Sequence, residues 1–304
     1  MQIEERGVEC VVRENFLLGE GPLWNARDQS IWWVDILGPA IHRLTPATGA
    51  RQTWTMPAAV GSFVFRPGGD LVVGLRSGFQ LFDPKHSEKR GGAFTMIAAP
   101  ETDKPKNRPN DGKCDRDGRY WCGTMIDGGA EPSGALYRID RDRSCRRFLD
   151  GIQVPNSIAF APDGKTMYFA DTREGSIRAY DYDRAAGTMG AMRVAGSGEH
   201  AHRTHRAGGP DGSTVDADGC LWSARYGGGM VVRITPDGRV DRAIRLPVTQ
   251  ITAAAFGGPA LDTLYITTAA QRLPPEELAR QPLAGALFAV NPGVKGLPEA
   301  DFAG

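Results

Sequence analysis

Oxygen-bearing side chains recur at one position of a pattern that the sequence repeats six times. The repeats begin at Glu20, Gly61, Asn110, Asn156, Asp211 and Thr252. Four of these six residues are Glu, Asn, Asn and Asp, so carboxylate and amide oxygens occupy a position where the repeat otherwise favours apolar residues. Buried acids and amides are costly without partners, and a hard cation such as Ca²⁺, Mg²⁺ or Mn²⁺ would satisfy several of them together. If the repeats bring these positions together, they predict a site for one divalent cation.

Turn formation is an alternative explanation for part of this pattern. Asn and Asp ahead of Gly are common turn formers, and Asn110-Asp111-Gly112 would fit a turn if taken alone. Turn chemistry explains Glu20 poorly, and it does not explain why the positions align between repeats. We therefore prefer the interpretation as a metal site.

The repeat itself predicts the fold. Each unit has a short apolar strand, a turn, a second strand with aromatic and β-branched residues, a third strand entered through glycine and a more polar fourth strand. Asp-Gly pairs at residues 117–118, 163–164 and 218–219 supply the positive φ that tight hairpins need. The repeat starts lie about 41 to 55 residues apart, which is typical of a propeller blade. We expect an all-β, six-bladed β-propeller with four-stranded blades, as one domain over residues 1–304.

In such a propeller the first strand of each blade lines the central channel. The sixth unit lacks a fourth strand before the C-terminus, and residues 10–13 would supply it. Pairing the two ends in one blade closes the ring and removes an exposed sheet edge. Residues 273–280 have prolines at the start, acidic residues next and an arginine at the end, which predicts a short surface helix in the sixth blade.

Five segments resemble the signature segments of the senescence-marker-protein/gluconolactonase/regucalcin family, in its bacterial sugar-acid lactonase type. They read LGEGPLW, NRPNDG, RYWCGTM, VPNS and PDG, and they begin at Leu18, Asn107, Arg119, Val154 and Pro210. The resemblance extends over nearly the whole chain, with the motifs in order. It implies the propeller fold and a metal-dependent hydrolase that opens a sugar lactone to the aldonic acid.

The resemblance also implies the roles of individual residues. One divalent cation (Ca²⁺, Zn²⁺, Mn²⁺, Mg²⁺ or Fe²⁺) would be held by Glu20, Asn156 and Asp211. The cation would polarise the lactone carbonyl and stabilise the oxyanion, with Asp211 as ligand and general base for the attacking water. Arg108 and Asn110 match the positions that hydrogen-bond the lactone.

The loop after Met125 departs from the family pattern. Animal members carry a longer acidic loop that contributes a substrate contact, whereas residues 126–131 are shorter here. Asp127 is the nearest candidate to replace that contact. His200, His202 and His205 lie in a Gly-rich loop that could contact metal or line the channel mouth, and their role stays open.

Two other function classes stay open on the sequence. A non-catalytic Ca²⁺-binding or docking propeller would share the fold, because fold alone does not imply activity. A propeller hydrolase of other esters would use the same cation, although Arg108 and Asn110 suit a polyhydroxylated ligand better. A serine hydrolase is disfavoured, since the sequence has no GxSxG motif.

Composition argues against a nucleic-acid or membrane partner. Lys+Arg and Asp+Glu both total 36, so the net charge of +0 favours neither nucleic acid nor an anionic membrane. The N-terminus is too charged for a signal peptide, so we expect a cytoplasmic protein. We also expect a monomer or small homo-oligomer that takes a small-molecule lactone. Five cysteines without a CxxC pair predict free thiols in a reducing compartment.

Overall fold

The computed structural model describes residues 2–4, 7–86, 94–196 and 207–304. The strands in these residues form six sheets. From the axis outward, blades 1 to 3 consist of Gly19–Asn25, Ser30–Asp35, Ala40–Thr45 and Ala50–Thr55; of Val60–Phe65, Leu71–Leu75, Gly78–Phe82 and Phe94–Ala98; and of Asn107–Cys114, Tyr120–Ile126, Gly134–Ile139 and Cys145–Ile152. Blades 4 to 6 consist of Pro155–Phe160, Thr166–Asp171, Ile177–Asp183 and Thr188–Ala195; of Gly209–Val215, Leu221–Tyr226, Met230–Ile234 and Val240–Arg245; and of Ile251–Gly257, Thr263–Thr268, Leu287–Val290 and Glu9–Val12.

The six sheets form a ring. The innermost strand of each blade contacts the innermost strand of the next, and that of blade 6 returns to that of blade 1. The predicted six-bladed β-propeller with four-stranded blades is therefore confirmed. Blades 1 to 5 are built from consecutive hairpins, and blade 6 takes its outer strand from the N-terminus, so the repeat in the sequence becomes a rotation about one axis.

The N-terminus contributes two strands outside the simple repeat. Glu9–Val12 pairs antiparallel with Leu287–Val290, with Cys10 opposite Phe288, as the predicted ring closure requires. Gln2–Glu4 pairs parallel with Val240–Arg245 and adds a fifth strand to blade 5. That added strand was not predicted, because three residues carry no periodic signal.

Aromatic side chains fill the space between and within the blades. Trp33, Trp121 and Trp222 are fully buried, and the rings of Trp32 and Trp54 stack with centroids 4.7 Å apart. Their burial agrees with a packing role rather than a sugar-stacking surface. The cysteines are all free, at Cys10, Cys114, Cys122, Cys145 and Cys220.

Turns and helices follow the sequence closely. Gly118, Gly164 and Gly219 of the Asp-Gly turns adopt positive φ. A helix spans Pro275–Arg280, which confirms the helix predicted in blade 6, and a 3₁₀ turn spans Pro84–His86. In the described part of the chain, no helix has the length and apolarity that crossing a bilayer would require.

The C-terminal tail (residues 295–304) crosses the end of the channel where the innermost strands finish. Lys295 O accepts a hydrogen bond from Ala217 N of blade 5 over 2.8 Å, and Phe302 N donates to Phe65 O of blade 2 over 2.8 Å. The Phe302 side chain is fully buried. The tail therefore ties opposite parts of the ring together at this end.

A charged cluster anchors the middle of the tail. Lys113 Nζ donates to Glu299 Oε1 over 3.0 Å and to Ser213 O over 2.9 Å. Thr214 Oγ1 also contacts Glu299 Oε1, at 3.3 Å. Burial alone would raise the pKa of Glu299, but Lys113 and Arg116 outweigh it and hold that pKa below its usual value. The tail is thus fixed by an ion pair as well as by its apolar end.

Candidate metal centre and substrate pocket

Near its beginning, each innermost strand carries the repeat position that the sequence singled out. The pocket at the end of the channel where the innermost strands begin is lined by Glu20, Asn110, Asn156 and Asp211. Gly61 allows close packing instead, since a Cβ there would lie 2.2 Å from Pro109 O. The sixth position, a threonine at 252, hydrogen-bonds Gly19 O and links blade 6 to blade 1.

A β-bulge follows this position in every blade. The strand register shifts between Glu20 and Leu23, Val60 and Ser62, Pro109 and Gly112, Asn156 and Ala159, Pro210 and Ser213, and Ile251 and Ala253. Bulges re-aim side chains and are common beside functional sites. Ser157, directly after Asn156, has φ 55°, a left-handed conformation that costs a non-glycine residue about 1–2 kcal/mol. Its hydroxyl donates to Asp211 O over 2.6 Å, which offsets part of that cost.

The pocket has a volume of about 440 Å³. Its wall consists of Leu18, Glu20, Leu37, Arg108, Asn110, Met125, Asp127, Gly128, Gly129, Val154, Asn156, Thr172, Arg173, Gly209, Asp211, Tyr226, Gln271 and Arg272. Every blade except blade 2 contributes to this wall. The loops between second and third strands surround the opening of the pocket, and we call them the pocket mouth. They carry Leu37, Asp127, Arg173 and Arg272.

Two carboxylates lie buried side by side at the base of the pocket. Glu20 and Asp211 are 6% and 5% exposed, and each influences the pKa of the other. Burial, helped by the charge of Asp111, raises the pKa of Glu20 to about 8. Burial and the charges of Glu20 and Asp111 raise the pKa of Asp211 well above its usual value. The pair would be stabilised by a nearby cation.

Asn156 presents its amide oxygen beside these carboxylates. Asn156 Nδ2 donates to Thr172 Oγ1 over 2.8 Å, and Thr172 Oγ1 donates to Pro210 O over 2.7 Å. Because the hydroxyl proton goes to the carbonyl, Thr172 can only accept from Asn156. The amide nitrogen therefore faces Thr172. The oxygen faces the pocket, where it accepts from Asn110 Nδ2 over 2.9 Å.

These three side chains fit a divalent cation. They supply only oxygen donors, two of them carboxylates whose burial is unfavourable without a positive charge. The described residues hold no group of three or more His, Cys, Asp and Glu suited to a metal. The third donor at this site is an amide. Glu20, Asn156 and Asp211 are thus the residues that would hold the ion. His200, His202 and His205 lie outside the described residues.

Arg108 and Asn110 form the adjoining wall. Buried Arg108 donates through Nη1 to Asn110 Oδ1 over 2.8 Å and through Nε to Asp127 Oδ1 over 3.3 Å. Asp127 also pairs with Arg76. Burial alone would raise the pKa of Asp127, but Arg108 and Arg76 bring it below its usual value. Asp127 lies in the pocket wall as the sequence suggested, with its carboxylate engaged by two arginines.

Asp111 supports the site from behind. Its Oδ2 accepts a hydrogen bond from Ile158 N of blade 4 over 2.8 Å. Burial raises the pKa of Asp111, and its charge contributes to the raised pKa of both Glu20 and Asp211. It joins blade 3 to blade 4 beneath the pocket.

Apart from Asp127, sequence reasoning missed the residues around the pocket mouth. Thr172, Arg173, Tyr226, Gln271 and Arg272 all come from the ends of second strands or the loops after them. The repeat aligns these loops, so asking which residues follow each second strand would have found them. Their varied lengths hid the correspondence.

Comparisons with known proteins agree with this architecture. Residues 18–270 match the family described as the SMP-30/Gluconolactonase/LRE-like region. The chain is 38% identical to 6-deoxy-6-sulfogluconolactonase from Pseudomonas putida, over 98% of this chain and 99% of that protein. It is 35% identical to regucalcin from Gallus gallus, over 98% of both chains.

A solved structure supports the same fold and the same family. The crystal structure of a calcium-binding protein, regucalcin, from Agrobacterium tumefaciens superposes with a TM-score of 0.91 at 30% identity, covering 99% of each chain. Family match, relatives and fold therefore agree over nearly the full length. The chain belongs to the SMP-30/gluconolactonase/LRE-like family.

Proposed function

We propose that the protein hydrolyses a sugar lactone to the corresponding aldonic acid, using one divalent cation held by Glu20, Asn156 and Asp211. The observation that carries this proposal is the buried carboxylate pair beside the oriented Asn156 amide, at the base of an open pocket. The name of the Pseudomonas putida relative supports a lactone substrate.

When bound, a divalent cation supplies Lewis acidity at the ester carbonyl and favours the negative charge of the tetrahedral intermediate. Asp211 takes the proton of the attacking water as the water oxygen bonds to the carbonyl carbon. The bond from that carbon to the ring oxygen then breaks, and Asp211 returns the proton to the ring oxygen. Gly212 N donates to Asp211 Oδ1 over 3.1 Å, which leaves the other oxygen for this transfer.

Arg108 and Asn110 orient the sugar. Within the protein, Arg108 uses Nε and Nη1 for Asp127, Pro109 and Asn110. No described residue hydrogen-bonds its Nη2, so that group donates to a substrate hydroxyl. Because Arg108 is buried and fixed by three acceptors, it positions the substrate at little cost in side-chain entropy.

Calcium binding without catalysis is the second candidate, since a structural relative is titled a calcium-binding protein. The oxygen-only donors fit Ca²⁺ as well as other hard cations. Hydrolysis of other esters is the third candidate. The Arg108–Asn110 wall favours a substrate rich in hydroxyl groups over an apolar ester.

A pH-indicator assay separates these candidates. Chelator-treated protein is given pentono- and hexonolactones, without metal and with Ca²⁺, Mg²⁺, Mn²⁺, Zn²⁺ or Fe²⁺. We expect acid release that returns with a cation and is absent in Asp211→Asn, whereas Asp142→Asn, an exposed turn residue, behaves as wild type. Cation binding without acid release from any lactone would favour the non-catalytic candidate.

A further inference from the structure

We propose that Arg173 and Arg272 form a subsite for an anionic group, such as a carboxylate or sulfonate, at the end of the substrate away from the lactone carbonyl. This inference rests on the proposed lactonase function. It narrows the substrate class to lactones that carry a negative charge.

The two arginines occupy corresponding places in their blades. Arg173 follows the second strand of blade 4, Thr166–Asp171, and Arg272 follows the second strand of blade 6, Thr263–Thr268. Both are exposed and line the pocket at its mouth, whereas the carboxylates at the base are buried. They flank blade 5, which supplies Asp211. A substrate with its carbonyl at the base would extend towards them.

Neither guanidinium is neutralised by the described part of the protein. No described carboxylate lies within 4.0 Å of Arg173 or Arg272, in contrast to Arg76 and Arg108, which both pair with Asp127. The positive charge of these two side chains therefore lacks a counter-charge among the described residues. An anionic ligand group would supply it, through charge-assisted hydrogen bonds.

The backbone on which each arginine sits is fixed. Arg173 N donates to Asp171 Oδ1 over 3.1 Å. Beside Arg272, Gln271 N donates to Leu17 O over 2.9 Å, and Gln271 O accepts from a glutamine amide over 2.9 Å. Arg272 itself has φ 60°, a left-handed conformation that persists only where surrounding structure holds it. The side chains are therefore presented from rigid loops, as a binding site requires.

The test compares two lactones that differ in one group. The γ-lactone of D-gluconic acid is neutral, and the γ-lactone of D-glucaric acid closed at the same carbonyl has a carboxylate in place of the terminal hydroxymethyl group. We expect higher kcat/KM on the anionic lactone. For that substrate Arg173→Gln and Arg272→Gln should each raise KM roughly tenfold, as expected for lost charge-assisted hydrogen bonds. The neutral lactone should lose less than about threefold, since it has no charge to bind.

Arg193→Gln serves as the matched control, because Arg193 is exposed on the outer strand of blade 4, away from the pocket. Higher salt should reduce the preference for the anionic lactone through screening. Equal losses on both lactones, or none on either, would overturn the subsite. Absence of turnover of both by the metal-loaded wild type would instead contradict the proposed function.

Discussion

The Asn156 amide is oriented by the Thr172 hydroxyl, which accepts a hydrogen bond from Asn156 Nδ2 over 2.8 Å and donates to Pro210 O over 2.7 Å. The relay spans blades 4 and 5 and leaves Asn156 Oδ1 facing the pocket. Thr172 is therefore a positioning residue for the proposed cation site, although it contributes no ligand itself.

Thr172→Val keeps the shape of the side chain and removes the hydroxyl. We expect cation affinity to fall by about 10- to 100-fold, because the amide loses the partner that orients it. Titration calorimetry measures this directly, and Thr172→Ser should restore most of the affinity. If Thr172→Val bound the cation as tightly as wild type, the relay would have no role in the site.

Glu20→Gln and Asp211→Asn each remove one charge with little change of shape. We expect turnover to fall at least about a hundredfold, since the cation loses a carboxylate ligand. The thermal midpoint of the cation-free protein should not fall, because the blades keep their packing and a buried carboxylate without a cation is unfavourable. Substantial activity in either variant at saturating cation would contradict the ligand assignment.

Cation binding should stabilise the folded protein. At a free concentration about 100 times Kd, binding contributes about 2.7 kcal/mol, or roughly 4 °C in Tm for a chain of this size. Calorimetric scans with and without chelator measure the shift. Asp211→Asn should show less of it, and an equal rise in that variant would point to a different cation site.

The Lys113–Glu299 pair makes a separate, pH-dependent contribution to stability. The folded pKa of Glu299 lies below its usual value. The pair therefore stabilises the protein above about pH 4.3, the unfolded pKa of Glu, and loses this effect as pH falls through the folded pKa. We expect Glu299→Gln to cost about 2 kcal/mol at pH 7, with the gap to wild type closing in acid.

Urea unfolding at a series of pH values measures that gap. Glu276→Gln, on the exposed side of the short helix, is the control and should follow wild type throughout. A gap that stayed constant down to the acid limit would show that Glu299 acts through packing rather than charge.

The blades and the base of the pocket were predictable because rotation about the axis makes repeat positions equivalent. Glu20, Asn156 and Asp211 could be aligned from the sequence alone. The closure of the ring by an N-terminal strand, observed at Glu9–Val12, could be predicted in the same way. Their proximity follows from the fold, whereas their roles as ligands stay predictions.

The pocket mouth and the tail were not predictable in this way. Arg173 and Arg272 lie in loops that follow equivalent strands but differ in length, so no fixed spacing relates the two residues. Thr172 acts through a hydrogen bond to Pro210 on another blade. The tail has no regular secondary structure, and nothing in its sequence indicates that Phe302 is buried.

The tail that crosses the far end of the channel also limits the routes by which substrate and product can enter and leave the pocket. For the described residues the pocket mouth, opposite the tail, is the doorway, so an acid formed at the base would leave by the route through which the next lactone arrives. Arrival and departure then compete, and accumulated product should slow the reaction by blocking entry. A fusion partner attached at Gly304 would sit on the opposite face and leave this doorway clear.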